Sequence, residues 1–283
     1  MNLLDGLGGR VHNDHIAMRS FVDSKGGSGL AFLDTAFTTY GYEPQSAIVI
    51  PGLPVNARWY EPPADADWPK IFVSELRTSE LPDSVAAACY ASVDGYFGEC
   101  ERGGTALRQA ISACDGLALA RLLDEPPWQP SAAVVAAVRG ADDDDPALRS
   151  ATEYAAWTLT HGHRINHLTI LQNALGLDHP RSAHGDPAQA RIPDLASLNA
   201  LLAAEGFEFN PAGGVDGVTQ GSPEKHLEQS STVADLVSHT FGCGAVQPVP
   251  CAFLELIQRH EGFRGFLGQN AKGIFESTRS REA

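Results

Sequence analysis

Residues 12–21 of this 283-residue chain are His-Asn-Asp-His-Ile-Ala-Met-Arg-Ser-Phe, and the predicted fold is built outward from them. Polar residues give way to an apolar run that ends at Phe21, a pattern typical of a short strand after a loop. Residues four apart on a strand share a face, so His15 and Arg19 should point the same way. The stretch predicts one cavity lined by an imidazole, which can bind a metal, and a guanidinium, which can bind a carboxylate. A partly exposed His and a surface Arg are the plainer alternative.

The composition is that of an ordinary soluble globular protein, with 43% hydrophobic and 19% charged residues. The formal net charge of -15 argues against nucleic acid and anionic membrane surfaces as partners, because phosphate binding needs clustered Lys and Arg. No apolar run approaches the roughly 20 residues of a membrane span. Five cysteines without a Cys-x-x-Cys pair indicate reduced thiols. We expect a cytoplasmic protein and leave open whether it forms a homodimer.

Strand-forming segments dominate the first part of the chain, residues 10–80. Runs of β-branched or aromatic residues bounded by Pro and polar residues predict strands here. Residues 32–42 fit either a helix or an extended segment. The predicted strands of this first β module lie at 48–50, 57–60 and 71–73.

A helical segment interrupts the strands. Ala and Leu recur at helical spacing from Ser84 to roughly Tyr154, which predicts a mainly helical insertion over residues 84–155. The acidic run at 142–145 ends at Pro146, and we expect it to form a solvated turn that caps the next helix.

Strand signals return over residues 160–280, which we predict to be a second β module. The chain is therefore predicted to be α+β, a single catalytic domain over 1–283 with a helical insertion between two sheet-forming parts. The predicted elements of this module are strands at 165–170, 227–233 and 251–259, a helix at 194–205 and a closing helix at 270–278.

The two sheet-forming parts begin alike, with Asn13-Asp14-His15-Ile16-Ala17 in the first and Ile165-Asn166-His167-Leu168-Thr169 in the second. A weak two-fold repeat indicates a duplicated β module, which would bring His15 to His167. Glu255 lies inside an apolar run, where an ionised carboxylate is costly unless it is paired or bound to a cation. Two imidazoles and one carboxylate leave open positions on a metal, as in non-haem Fe(II) oxygen chemistry.

Three other residues keep two interpretations each. His163 could compete with His167 as a ligand. Glu75 could orient a ligand or form a surface salt bridge. Arg259 shares a strand face with Glu255 but could equally form a structural ion pair.

The end of the chain resembles the C-terminal signature of 4-hydroxyphenylpyruvate dioxygenases, through Phe-Leu-Glu-Leu-Ile-Gln-Arg at 253–259 and Asn-Ala-Lys-Gly-Ile-Phe-Glu-Ser at 270–277. Nearly the whole chain resembles the 2-oxoadipate dioxygenase/decarboxylase family. The segments that carry this second resemblance are 13–21, Phe-Val-Ser-Glu-Leu at 72–76, 165–169, Gly-Ser at 221–222 and Leu-Glu-Gln-Ser-Ser-Thr at 227–232.

This resemblance implies a vicinal-oxygen-chelate fold, in which two β modules form an open barrel around a metal. It implies an Fe(II) cofactor held by His15, His167 and Glu255, with Arg19 binding the distal carboxylate of the substrate. Ser222 and Gln229, in family-like segments, are further candidates for substrate binding. The implied reaction uses O2 to decarboxylate a 2-oxo acid and hydroxylate the same molecule, so that 2-oxoadipate gives 2-hydroxyglutarate and CO2.

Three alternatives keep the same residues. The first is the same metal chemistry on another 2-oxo acid, aromatic or branched. The second is a redox-neutral isomerase or lyase of the same fold that uses Zn or Mn. The third is a non-catalytic binder of a small molecule, which the intact set of two His and one Glu disfavours.

Overall fold

A computed structural model describes residues 10–141, 145–176, 192–211 and 217–278, together with Leu3. The first β module has the order β-α-β-β-β and begins with the strand predicted from the opening stretch. Its elements are β1 (Asn13–Phe21), α1 (Gly29–Thr39), β2 (Glu43–Ile48), β3 (Val55–Glu61) and β4 (Lys70–Leu76).

Helices fill the segment between the two modules, which confirms the predicted insertion. The side chain of Asp145 caps the last of them by accepting a bond from the Ala147 amide at 2.9 Å; Asp142 to Asp144 lie outside the described residues. None of the described helices is both long and apolar enough to cross a membrane. The helices are α2 (Asp83–Val93), α3 (Arg102–Ser112), α4 (Gly116–Asp124), α5 (Ala132–Arg139) and α6 (Pro146–His161).

The second module repeats the β-α-β-β-β order, with a β-hairpin inserted before its last strand. A short closing helix and a 3-10 turn over Phe275–Thr278 follow that strand. The elements are β5 (Ile165–Leu171), α7 (Leu195–Ala204), β6 (Gln220–Ser222), β7 (Leu227–Ser231), the hairpin β8 (Leu236–Thr240) and β9 (Val246–Pro250), β10 (Phe253–Arg259) and α8 (Gly268–Ile274).

Both modules contribute to one eight-stranded sheet, in the order β2-β3-β4-β1-β5-β10-β7-β6. Within each module the first and last strands are parallel neighbours, β1 beside β4 and β5 beside β10. The modules join where β1 pairs antiparallel with β5. The strand order is therefore the same when read outward from the centre in either direction, as expected of a duplicated unit.

Apolar faces of the helices cover this sheet. All seven residues of β4 are buried, since α1 and the insertion pack near it in one large core. A smaller core lies under the second module, where Leu195, Leu198 and Leu202 of α7 join Ile170 and Leu256 of the sheet. The spacing of these leucines is the helical periodicity that predicted α7.

The structure settles one segment of the first module and corrects another. Residues 32–42 lie largely in α1, whose N-cap Ser28 accepts a bond from the Ala31 amide at 3.0 Å. The predicted strand at 48–50 is wrong beyond Ile48, which ends β2, because the chain then turns towards β3. Ile50 is buried and Val49 is exposed in this turn, so the apolar run there reflects packing of a loop.

His163 lies in the core and is not a competing metal ligand. Its Nε2 is 3.0 Å from the hydroxyl oxygen of Ser20. Burial lowers the pKa of His163 to about 3, so the imidazole is neutral in the folded protein. Four aromatic rings surround it with centroid distances of 5.3–5.9 Å, those of Phe32, Tyr96, Phe97 and Trp128.

We expect the buried neutral His163 to make the free energy of unfolding pH-dependent. Between about pH 6.5 and pH 3 the unfolded chain binds a proton at this residue and the folded chain does not, so stability falls as pH falls. Between pH 7 and pH 5 the wild type should lose about 2 kcal/mol more than a His163→Gln variant. Urea titrations in the presence of a chelator measure both losses, and equal losses would contradict a neutral buried imidazole.

Candidate metal centre

Three donor atoms meet at the centre of the sheet: Nε2 of His15, Nε2 of His167 and Oε2 of Glu255. The two Nε2 atoms are 3.4 Å apart, and Glu255 Oε2 lies 2.9 Å from that of His167 and 3.4 Å from that of His15. All three side chains are buried, and their donor atoms lie within 4.8 Å of one another. Imidazole nitrogen and carboxylate oxygen grouped this closely could hold one metal ion.

Strand pairing brings the three donors together. β1, β5 and β10 are consecutive strands of the sheet, and each carries one donor. In the β5–β10 pair, Glu255 lies two residues beyond the partner of His167. In the equivalent β1–β4 pair, Phe72 lies two residues beyond the partner of His15. Phe72 therefore takes the position that Glu255 has in the other module, which is why the first module supplies one donor and the second supplies two.

The other ring nitrogen of each histidine is held by the residue before it. Asp14 Oδ2 lies 2.9 Å from His15 Nδ1, and Asn166 Oδ1 lies 3.1 Å from His167 Nδ1. Because both oxygens are acceptors, Nδ1 carries the proton of each neutral ring and Nε2 keeps its lone pair. This is the orientation and tautomer that a metal-binding imidazole needs.

The carboxylate of Glu255 divides its two oxygens between different partners. Oε1 accepts a hydrogen bond from the side-chain amide of Gln229. Oε2 faces both imidazoles. Gln229, predicted from the sequence to be a substrate-binding residue, also lines the cavity. It therefore contacts both the cavity and the donor residue Glu255.

The protonation states suit a cation. Burial alone would raise the pKa of Glu255, but the imidazoles, His15 foremost, hold it well below its usual range. Burial lowers the pKa of His167. For His15 burial acts in the same direction, but Glu255 and Asp14 outweigh it and raise the pKa. An ionised carboxylate beside imidazoles with Nε2 turned inward fits the donor set of a divalent transition metal.

Asp14 is itself held in a charged pair. Arg259 donates from Nε to Oδ1 at 2.8 Å and from Nη2 to Oδ2 at 2.7 Å, and Lys70 Nζ lies 3.9 Å from Oδ1. Burial would raise the pKa of Asp14, but these two cations keep it well below its usual range. The structure therefore supports the ion-pair interpretation of Arg259. The carboxylate in this pair, Asp14, is also the hydrogen-bond partner of His15 Nδ1.

The three donors line one small cavity. Phe266, which no sequence pattern singles out, lies in the loop after β10 and packs edge-on against His15 with ring centroids 4.8 Å apart. Most of the wall is apolar, and Ser74 and Asn166 add polar groups to it. The apolar part includes Ala17, Met18, Phe72, Phe266, Ile274 and Phe275.

Arg19 lines the same cavity, as the alternation along β1 predicts. Its Nη1 donates to Thr278 Oγ1 at 3.0 Å. Its guanidinium carbon lies 5.0–5.1 Å from the ring centroids of Tyr154, Trp157 and Phe275. These rings attract the cation and restrict its rotamers, so a permanent positive charge is held at the wall.

Two predicted residues lie elsewhere. Ser222 is on the edge strand β6, two strands from β10, and does not line the cavity. Glu75 orients no ligand: it accepts bonds from Ser28, from the Leu30 amide and from Asn56, and so holds the start of α1 to the sheet.

A family model described as 2-oxoadipate dioxygenase/decarboxylase matches residues 5–261 of the chain. The chain belongs to this family. The resemblance that its motifs indicate is therefore confirmed, and the chain is placed among oxidoreductases.

Two relatives support this family assignment. The chloroplastic 2-oxoadipate dioxygenase/decarboxylase of Arabidopsis thaliana is 29% identical over 297 residues, covering 94% of this chain and 67% of the plant protein. The crystal structure of hydroxyglutarate synthase from Oryza sativa in complex with 2-oxoadipate is 26% identical, with a TM-score of 0.72 over 98% of this chain and 84% of the rice chain.

A glyoxalase superfamily protein from Ralstonia eutropha JMP134 shares the fold. Its structure matches 93% of this chain and 78% of its own with a TM-score of 0.65 and 22% identity. The predicted vicinal-oxygen-chelate fold, an open sheet of two β modules, is confirmed.

We expect a Glu255→Gln variant to lose metal affinity, because a neutral amide replaces the anionic donor. The dissociation constant should rise by more than the roughly 10- to 100-fold typical of losing an outer hydrogen bond to a ligand. Anaerobic calorimetric titration with Fe(II) measures it. Glu75→Gln is the matched control, since this carboxylate is also buried but lies outside the cavity. An equal effect of the two substitutions would count against the assigned donor.

Proposed function

We propose that the chain is an Fe(II)-dependent dioxygenase that converts 2-oxoadipate and O2 to 2-hydroxyglutarate and CO2. The observation that carries the proposal is the placement of His15, His167, Glu255 and Arg19 around one cavity. Family membership and the 2-oxoadipate named in the rice structure support the choice of substrate. When bound by the three donors, Fe(II) would supply the O2 chemistry that protein side chains lack.

Charge favours a substrate with two carboxylates. A divalent cation held by the three donors and the Arg19 guanidinium would place positive charge at two points of the cavity. A dicarboxylate can put one carboxylate at each point, whereas a monocarboxylate can reach only one of them.

Arg19 is the group that reads the distal carboxylate. A guanidinium offers donors in a planar fork that matches a carboxylate, and the three rings around it fix where that fork lies. Its role is to position the chain of the substrate relative to the three donors. Positioning of this kind decides whether the same molecule is both decarboxylated and hydroxylated.

The apolar wall keeps water from the reacting end. Phe266 covers one edge of His15, and Phe253 lies against His167 with ring centroids 4.6 Å apart. Phe72 and Phe275 extend this apolar surface around the cavity. Few polar side chains on the wall could therefore take the place of the substrate at the proposed metal site.

The test of the reaction is O2 consumption by anaerobically Fe(II)-loaded protein mixed with 2-oxoadipate, with the product identified by mass spectrometry. We expect one O2 consumed and one CO2 released for each 2-hydroxyglutarate formed. O2 uptake with other 2-oxo acids alone would change the substrate and keep the chemistry. Iron-loaded protein that consumes no O2 with any oxo acid would leave the isomerase or the binder.

We expect an Arg19→Met variant to lose activity selectively. Losing a charge-assisted hydrogen bond of about 1.5–3 kcal/mol should lower kcat/KM for 2-oxoadipate by roughly 10- to 100-fold. Activity towards 2-oxohexanoate, which ends in a methyl group, should change little. Steady-state kinetics with both substrates measure the difference.

Arg58→Met is the control for this variant. Arg58, on β3, pairs with Asp34 of α1 at 3.5 Å and does not line the cavity. Its substitution should leave both kcat/KM values near those of the wild type. A similar loss on both substrates in the Arg19→Met variant would show that Arg19 does not read the distal carboxylate.

A further inference from the structure

The two histidines of the proposed metal site have neighbours of different charge in equivalent places. Asp14 holds His15 and Asn166 holds His167, each through the Nδ1 of the following residue. Strands β1 and β5 are the equivalent first strands of the two modules. The same hydrogen bond is thus made once by a carboxylate and once by an amide.

The surroundings of the two acceptors explain this difference. Both oxygens of Asp14 accept bonds from Arg259, and Lys70 lies near Oδ1. For Asn166, by contrast, the amide nitrogen has no hydrogen-bond partner among the described residues. An amide there can keep its oxygen on His167 without opposing another donor.

An amide at position 14 could not do the same. It has one accepting oxygen, whereas Oδ1 and Oδ2 of Asp14 both face donors. Arg259 and Lys70 have no accepting atoms, but His15 can change from donor to acceptor at Nδ1. At the Oδ1 side the NH2 would oppose Arg259 Nε and Lys70 with nothing to accept its hydrogens. At the Oδ2 side it would oppose Arg259 Nη2 but could donate to His15 Nδ1. The amide would therefore turn its oxygen to the Oδ1 side and its NH2 to His15. That choice moves the ring proton to Nε2, the atom the metal needs.

We propose that Asp14, clamped by Arg259, is a positioning residue that fixes the metal-binding tautomer of His15, and that position 14 requires a carboxylate because Arg259 occupies both of its oxygens. The proposal rests on the proposed metal site. It also assigns Arg259 a role: this residue lies four positions after Glu255 on β10, so one strand carries a donor and the cation that orients another.

Arg259 is itself well anchored for this role. Its Nη1 donates to the Gly265 carbonyl at 2.7 Å, and its backbone amide donates to Asn173 Oδ1 at 2.8 Å. Its guanidinium carbon lies 5.3 Å from the ring centroid of Phe266, which in turn packs on His15. These contacts therefore fix the position from which Arg259 binds Asp14.

The test is metal affinity together with the tautomer of His15. Asp14→Asn should raise the Kd for Co(II), measured by calorimetry on the full chain, by about 10- to 100-fold. Long-range proton–nitrogen NMR of the metal-free protein, at a pH high enough for the His15 ring to be neutral, should show its proton on Nδ1 in the wild type and on Nε2 in the variant. Asp23→Asn, at a buried carboxylate just after β1, is the matched control and should change neither result.

A double variant separates tautomer control from simple loss of structure. Removing the guanidinium in Asp14→Asn with Arg259→Met frees the amide oxygen to face His15, so Co(II) affinity should recover in part and the proton should return to Nδ1. Wild-type affinity in Asp14→Asn, or a loss with the tautomer unchanged, would overturn the proposal. Thermal melts followed by circular dichroism confirm that each variant is folded. A wild type that binds no metal would instead refute the proposed function.

Discussion

The antiparallel pairing of β1 with β5 is the contact on which the rest of the structure depends. It joins the two modules, and it sets Ala17 opposite His167 so that the side chains of His15 and His167 meet. A shift of this pair by one residue would turn one histidine to the other face of the sheet. The parallel neighbours β4 and β10 then decide what completes the site, an apolar Phe72 on one side and Glu255 on the other.

Buried charge is the second constraint. Such groups are tolerated only when they are paired or bound to an ion, and each one here has a defined environment. Asp14 is matched by Arg259, and Glu255 lies against two imidazoles. Arg19 lies among aromatic faces at the wall of the same cavity. Behind the site, Arg259 and Lys70 offset the charge of Asp14, and the cavity in front is left for a metal and an anionic ligand.

Much of this architecture is predictable from the sequence, for physical reasons that differ between elements. β4, β5 and β10 are short runs of β-branched and aromatic residues between turn-forming residues, so their patterns are clear. α1 is ambiguous because its Phe and Thr residues also suit strands, although Ser28 is a helix-capping signal. The β8–β9 hairpin is missed because Pro248 and Pro250 suggest a loop, whereas a two-stranded sheet has free edges that accept proline.

The residues of the site are likewise predictable from the sequence only in part. The three donors follow from the repeated histidine motif and the family resemblance, and Asp14 and Asn166 are visible beside those histidines. That their oxygens reach the rings depends on rotamers, which the sequence does not state. Phe266 approaches His15 through the path of a loop, and Ser222 is carried away from the cavity by its place on an edge strand. Contacts set by tertiary path are the ones that sequence reasoning misses.

The most direct test of the central claim is a crystal structure of the Fe(II)-loaded protein grown anaerobically with 2-oxoadipate. We predict one metal bonded to His15 Nε2, His167 Nε2 and Glu255 Oε2, with the distal carboxylate of the ligand on Arg19. A metal bound elsewhere, or a ligand whose distal carboxylate lies away from Arg19, would contradict it.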